Sequence, residues 1–314
     1  MVYLQLFLGF ALLVAGGEAL VRGAVSVASR LGVSPLLIGL TLVGFGTSTP
    51  ELVTSLQAAY GGFPGIAIGN VVGSNIANIL LILGVAAVIM PLSIDPVSFC
   101  RDGAALAIAT MLAVSVILIG SLYQWMGAVL ILALLAYLLV AYLSDRATVA
   151  ASEAPDFPES TSMPGPIWIA LGLAFGGIAV TIVGARLAVD AAVTLALLWG
   201  MSETVVGLTV VAVGTSLPEL VTSVMAALRR ESGIAFGNVI GSNIYNILGI
   251  LGITALVWPI PIPPQIAQLD VWVMSTATIA LIVAVVAWRR IGRWTGLVFL
   301  GAYAAYNGWL VSGV

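Results

Sequence analysis

Laid over itself at a shift of 168 positions, the chain matches residues 39–84 to residues 207–252 without a gap, and 31 of the 46 paired positions are identical. The register carries on to Pro91/Pro259, Pro96/Pro264 and Asp102/Asp270. A match this regular means two copies of one structural unit. Ten apolar segments can be drawn, each bounded by charges, Pro or Gly, at roughly 2–29, 35–60, 65–90, 99–120, 122–144, 166–199, 203–228, 233–258, 268–288 and 294–312. Each is long enough to cross a hydrocarbon core of about 30 Å. Five spans per copy is an odd number, so the second copy enters the membrane from the opposite side. The expected fold is therefore all-α, with ten transmembrane helices arranged as two inverted five-helix repeats. Such repeats are related by a pseudo-two-fold axis in the membrane plane. They place a substrate site near the midplane, between broken helices of the two halves.

Composition leaves no soluble alternative. Of the 314 residues, 61% are hydrophobic and 7% charged, with a mean hydropathy of +1.19. A water-facing domain carries about a quarter charged residues. The first run lacks a basic leader and a small-residue cleavage site, and it continues through Glu18 and Arg22. It reads as a first span and not a removed signal. The expected organisation is residues 1–144 as the first repeat, 145–165 as an acidic, proline-rich linker, and 166–314 as the inverted second repeat. All ten basic residues are arginine. With the N-terminus outside, nine of them fall on the cytoplasmic side and only Arg186 on the other, so both termini are expected outside and the linker inside. Trp258, Trp288 and Trp294 sit at span ends and read as interfacial anchors. Cys100 is the lone cysteine, so no intrachain disulfide is possible, and there is no histidine.

Two polar blocks recur inside the matched region. The first is Gly46-Thr47-Ser48-Thr49-Pro50-Glu51, echoed by Gly214-Thr215-Ser216-Leu217-Pro218-Glu219. The second is Gly69-Asn70-Val71-Val72-Gly73-Ser74-Asn75-Ile76-Ala77-Asn78, echoed by Gly237-Asn238-Val239-Ile240-Gly241-Ser242-Asn243-Ile244-Tyr245-Asn246. Pro50 and Pro218 remove a backbone donor, so helices 2 and 7 are expected to break or kink there. Glu51 and Glu219 fall about mid-span, where an unpaired carboxylate costs several kcal/mol. Thr47 and Ser48 precede Glu51 by four and three residues and are expected on its helix face. Ser74 stacks with Asn78, and Ser242 with Asn246, in the same way.

The collected groups are two carboxylates, hydroxyls, amide oxygens and freed carbonyls, with neither thiol nor imidazole. An all-oxygen set suits hard cations such as Ca²⁺, which takes six to eight oxygens at ~2.3–2.6 Å, and disfavours zinc or copper. Two carboxylates balance one Ca²⁺ or two Na⁺. Ions that compete for one site and leave it by alternating access are exchanged. Small polar residues also hydrogen-bond and pack helices in membranes, so Ser74, Ser242, Asn78 and Asn246 keep that second reading. Asn70, Asn75, Asn238 and Asn243 lie on other faces and read as structural. Glu18/Arg22 and their counterparts Arg186/Asp190 read as local ion pairs at i,i+4.

These paired blocks resemble the two alpha-repeats of the calcium/cation antiporter superfamily, in its prokaryotic-type sodium/calcium exchanger branch. The resemblance implies ten helices around a central diamond of cation sites. It also implies Ca²⁺ export driven by Na⁺ entering the cell, usually three Na⁺ per Ca²⁺. Its coordinating positions fall here on Thr47, Ser48, Glu51, Ser74 and Asn78, and on Thr215, Ser216, Glu219, Ser242 and Asn246, with backbone carbonyls near Gly44 and Ala212. No cofactor is implied; Na⁺ and Ca²⁺ are cargo, and the lipid bilayer of a prokaryotic inner or plasma membrane is the setting. Nucleic acid is not expected as a partner, nor is enzymatic activity. Some family members carry Asp where this chain has Asn246, and an acid there goes with K⁺ use in the potassium-dependent branch. Asn on both sides implies potassium independence. A proton-coupled calcium exchanger is the nearest alternative, although that branch commonly has a histidine after its Glu, and a cation channel is a more distant one.

Overall fold

The computed structural model describes residues 2–151, 166–199 and 212–312. Among these the architecture is helical: α1 (Val2–Leu31), α2 (Pro35–Thr47), α3 (Thr49–Tyr60), α4 (Pro64–Ile89), α5 (Pro96–Ile119), α6 (Gln124–Ala151), α7 (Ile167–Leu198), α8 (Leu217–Leu228), α9 (Ser232–Val257), α10 (Ile266–Trp288) and α11 (Arg293–Ser312). A single turn, Ala212–Thr215, precedes α8. Seven helices are long and apolar enough to cross a membrane, and eight when the bent pair α2/α3 is taken as one span. The first third of the expected seventh segment, 203–211, and most of the expected linker, 152–165, lie outside the described residues. Helix α6 runs on past residue 144 to Ala151. Asp145, placed at the start of the linker by sequence, is instead buried and accepts the backbone N–H (2.8 Å) and hydroxyl (2.6 Å) of Ser34, which itself caps α2.

Glycine spacing sets the closest helix pair. α1 runs antiparallel along α7, with Gly9 against Gly184 and Ala188, Gly16 against Gly177 and Thr181, and Gly23 against Ala170 and Ala174. A Cβ on Gly9 or Gly184 would sit 2.6 Å from a backbone nitrogen of the facing helix, so the backbones touch where a side chain would separate them.

The interior is formed by α4 and α9, the most buried spans, packed with the two bent segments. Each of the three long central stretches widens locally into a π-helical turn: Gly39–Val43 in α2, Asn78–Ile82 in α4 and Tyr245–Leu251 in α9. Such turns are common at functional sites, because one extra residue per turn re-aims the side chains around it. Two short antiparallel ladders tie the helix ends. Leu92–Ser93, between α4 and α5, pairs with Arg290–Ile291, between α10 and α11; Ser121–Leu122, between α5 and α6, pairs with Ile260–Pro261, between α9 and α10.

Candidate cation-binding site

The chain breaks at Ser48 and at Ser216. Both have nearly the same backbone angles, φ −82° and ψ 7° for Ser48 and φ −90° and ψ 8° for Ser216, outside the helical region. On the first side, α2 and α3 diverge by 43° across this point. The prolines do not mark the break, as their position in sequence suggested. Pro50 and Pro218 stand in the first turn of the following helix, where a missing N–H forfeits no intrahelical bond. Glu51 and Glu219 come one residue later, so each carboxylate sits in a helix N-terminal turn, where the helix dipole favours negative charge.

Most of the predicted ligands are buried in the interior. Glu51, Glu219, Thr47, Ser48, Ser216, Ser74, Ser242, Asn78 and Asn246 are each no more than 5% exposed. Ser48 Oγ donates to Glu219 Oε1 at 3.0 Å, so its hydroxyl serves the carboxylate of the other half and not Glu51. The reason is the break itself, which takes Ser48 out of the helix that carries Glu51. Thr47 Oγ lies 3.0 Å from the Val43 carbonyl, 3.3 Å from that of Gly44 and 3.2 Å from Asn238 Oδ1. The Gly44 carbonyl accepts the Ser48 N–H at 3.1 Å and the Ser242 hydroxyl at 3.2 Å. The backbones pack tightly here: a Cβ on Gly44 would lie 3.0 Å from the Ser242 nitrogen. Ala212 opens the turn that leads to Thr215 and Ser216.

Several buried acceptors lack donors. Both oxygens of Glu51, Oε2 of Glu219, and the Oδ1 atoms of Asn78 and Asn246 are buried with no hydrogen-bond partner. Burying an unpaired acceptor costs about 1–3 kcal/mol, and more for a charged one. Five such oxygens, carried by α3, α4, α8 and α9, are of the kind a hard cation accepts. Thr215, Pro50 and Pro218 border a cavity of about 190 Å³, whose wall also holds Thr54, Arg186 and Asp190. The cavity therefore touches the break from one side of the molecule.

A supporting layer was legible in the sequence only in part. Asn70 Nδ2 donates to the Glu51 carbonyl (3.1 Å) and to Ser55 Oγ (3.0 Å); Asn238 Nδ2 donates to the Glu219 carbonyl (3.2 Å) and to Ser223 Oγ (2.8 Å). These clamps hold the backbone of each glutamate, which agrees with the structural role read for Asn70 and Asn238. Asn243 reaches across the halves: its Oδ1 accepts Asn78 Nδ2 at 3.0 Å. Thr222 Oγ1, three residues beyond Glu219, is another buried and unpartnered atom. Ser55, Ser223 and Thr222 all lie in the matched stretch, but so do many packing residues. The repeat alone gave no signal to single them out.

A family model described as sodium/calcium exchanger protein matches residues 1–143 and again residues 169–311. The chain belongs to the sodium/calcium exchanger family. It is therefore an integral membrane cation-exchange transporter and not an enzyme. Sodium/calcium exchanger MaX1 of Methanosarcina acetivorans is 34% identical, over 97% of this exchanger and 97% of MaX1. Inner membrane protein YrbG of Escherichia coli is 35% identical, over 96% of this chain and 94% of YrbG. A solved structure of the sodium-calcium exchanger NCX_Mj, soaked with 2.5 mM Na⁺ and 0.1 mM Ca²⁺, matches with a TM-score of 0.83 and 34% identity, over 97% of this chain and 96% of that one.

Proposed function

We propose that this exchanger moves Na⁺ and Ca²⁺ in opposite directions through one central site, by alternating access, with three Na⁺ entering for each Ca²⁺ expelled. The observation that carries the reading is the set of unpaired buried oxygens on Glu51, Glu219, Asn78 and Asn246. Hydroxyls of Thr47, Ser48, Ser74, Thr215, Ser216 and Ser242 and the carbonyls of Gly44 and Ala212 complete the ligand set. With two carboxylates, Ca²⁺ and a pair of Na⁺ compete for the same charge, and a third Na⁺ rests on neutral oxygens. Asn246 adds no third acid, so K⁺ is not required. No cofactor takes part.

The reading includes ten spans in two inverted repeats, 1–144 and 166–314. Support comes from the two family-model matches, which are equal in length and offset by 168 residues. The ladders support it too. Leu92–Ser93 and Ile260–Pro261 are 168 apart, and Ser121–Leu122 and Arg290–Ile291 are 169 apart, so a two-fold operation carries one ladder onto the other. The arginine distribution favours both termini outside and residues 145–165 in the cytoplasm.

Flux in proteoliposomes tests the proposal. Uptake of ⁴⁵Ca²⁺ should require an outward Na⁺ gradient and persist when K⁺ is replaced by choline. A 3:1 exchange moves one net charge, worth about 2.3 kcal/mol at 100 mV, so a clamped potential should alter the rate or the final gradient. Voltage-insensitive flux would reduce the ratio to two Na⁺. Uptake driven by a pH gradient alone would move the chain to the proton-coupled branch, and uptake without any counter-ion would make it a channel.

A further inference from the structure

We infer that a groove between α10 and α11 is a binding site for an anionic phospholipid. Its wider part is a cavity of about 750 Å³, with Arg290, Arg293, Trp288 and Trp294 at one end and Ala280, Val298 and Phe299 further in. A second cavity of about 340 Å³ shares Ala280, Val298 and Phe299 and continues the groove to Trp272. From Trp288 to Trp272 it follows 16 residues of α10, about 24 Å at 1.5 Å per residue. One leaflet of a ~30 Å core is about 15 Å deep, so an acyl chain fits along the groove with its phosphate at the arginine end. The side chains of Val283, Trp288 and Val298 that rim it are 56–67% exposed, on a face of an integral membrane protein whose solvent is lipid.

Charge names the headgroup. Among the described residues neither Arg290 nor Arg293 forms an ion pair, and both are exposed at the mouth. The ladder itself does not need them. The corresponding turn of the first half, 121–125, carries Ser121 where this one has Arg290 and Gln124 where it has Arg293, yet it forms the same two-residue ladder and keeps its tryptophan, Trp125. Basic pockets between membrane helices bind phosphate headgroups by charge-assisted hydrogen bonds, while tryptophans sit at headgroup level.

Native mass spectrometry of the detergent-solubilised exchanger, titrated with phosphatidylglycerol or phosphatidylcholine, tests the site. We expect retention of phosphatidylglycerol at least tenfold tighter than of phosphatidylcholine, and loss of that preference in the Arg290→Gln/Arg293→Gln double variant. Ala280→Phe, which fills the groove but keeps both arginines, should weaken the binding of both lipids. Should the double variant fold poorly, the wild-type preference should still shrink as salt is raised. Equal retention of the two lipids by the wild-type protein, or an unchanged preference in the double variant, would overturn the assignment. So would dimerisation of lipid-free protein abolished by Ala280→Phe, which would make the groove a seat for a second copy. None of these readouts depends on ion transport, so the site stands or falls apart from the exchange reading.

Discussion

In the second half of the site, Glu219 receives the Ser48 hydroxyl at 3.0 Å; in the first half, both oxygens of Glu51 and the Ser216 hydroxyl, the counterpart of Ser48, are buried and unpartnered. The asparagines divide in the same way. Asn78 Nδ2 donates to Asn243 Oδ1, whereas the equivalent pair, Asn246 Nδ2 and Asn75 Oδ1, is unmade and both atoms lack partners. The residues concerned are identical at a shift of 168, so side-chain chemistry does not cause the difference. What differs is the arrangement of the halves. Under the proposed alternating access, two inverted repeats must differ at any one moment, because one faces an open side while the other faces a closed one. On that view the missing bonds, Ser216 to Glu51 and Asn246 to Asn75, belong to the opposite state.

The largest effect should ignore the asymmetry. Glu51→Gln and Glu219→Gln each remove half of the charge that compensates Ca²⁺ in a buried site, so each should abolish ⁴⁵Ca²⁺ transport while leaving a folded protein. If either variant retained wild-type flux, the two carboxylates would not share one site.

Next come the serines, which test whether the asymmetry alternates. A hydrogen bond to a charged group contributes about 1.5–3 kcal/mol, or roughly 10- to 100-fold. Ser48→Ala should cost that much in apparent Ca²⁺ affinity. If the halves exchange arrangements during the cycle, Ser216→Ala should cost about as much, although Ser216 makes no bond here. A loss confined to Ser48→Ala, measured as kcat/KM for ⁴⁵Ca²⁺ uptake, would mean that the difference between the halves is permanent.

Much of this was legible in the sequence, and what was missed has a physical cause. Polar residues at fixed offsets in an apolar chain have few bland explanations, so the glutamates and both motif blocks stood out. The break at Ser48 was placed two residues late because proline constrains the residues before it as well as its own position. The crossed pairing of Ser48 with Glu219 and of Asn78 with Asn243 was not legible at all. Both contacts join positions more than 160 residues apart, and a helical-face argument reaches only four residues along one helix. For Asn243 only its face within α9 was considered, and not the partner that lies across from it.

A smaller change is expected at Asn246, a proposed coordinating position where the family resemblance implies an acid in some members. Asn246→Asp adds a carboxylate to a site that already holds two, and it ionises only alongside an extra cation. Exchange should persist, with a steeper pH dependence near neutrality or a new sensitivity to K⁺. The amide Nδ2 that could pair with Asn75 in the opposite state is lost as well. An unaltered pH profile and unaltered K⁺ independence would show that this position does not set the coupling.

The smallest effect is expected far from the site, where the two halves differ in sequence as well as in arrangement. Glu18 on α1 accepts hydrogen bonds from Arg22, at 2.7 Å on its own helix, and from Arg229, the residue that ends α8. The Arg229 contact fastens α1 to the end of the segment that carries Glu219, beside Gly17, which packs on Val221 and Met225 of α8. At the equivalent place in the other half, Arg186 and Asp190 form no ion pair among the described residues, Gly61 stands where Arg229 would be, and the 190 Å³ cavity opens instead. One side is latched and the other is not. Partly exposed ion pairs contribute about 0.2–1 kcal/mol, so the latch biases the two states by fivefold at most. Arg229→Gln and Glu18→Gln should therefore shift, by no more than about fivefold, the ratio of apparent Ca²⁺ affinities measured from the two faces of oriented vesicles, with maximal flux nearly unchanged. Arg22→Gln breaks only the bond within α1 and should leave that ratio alone. If Arg22→Gln moved the ratio as far as Arg229→Gln does, the effect would come from net charge near the membrane surface, and the contact between α1 and α8 would carry no part of the asymmetry.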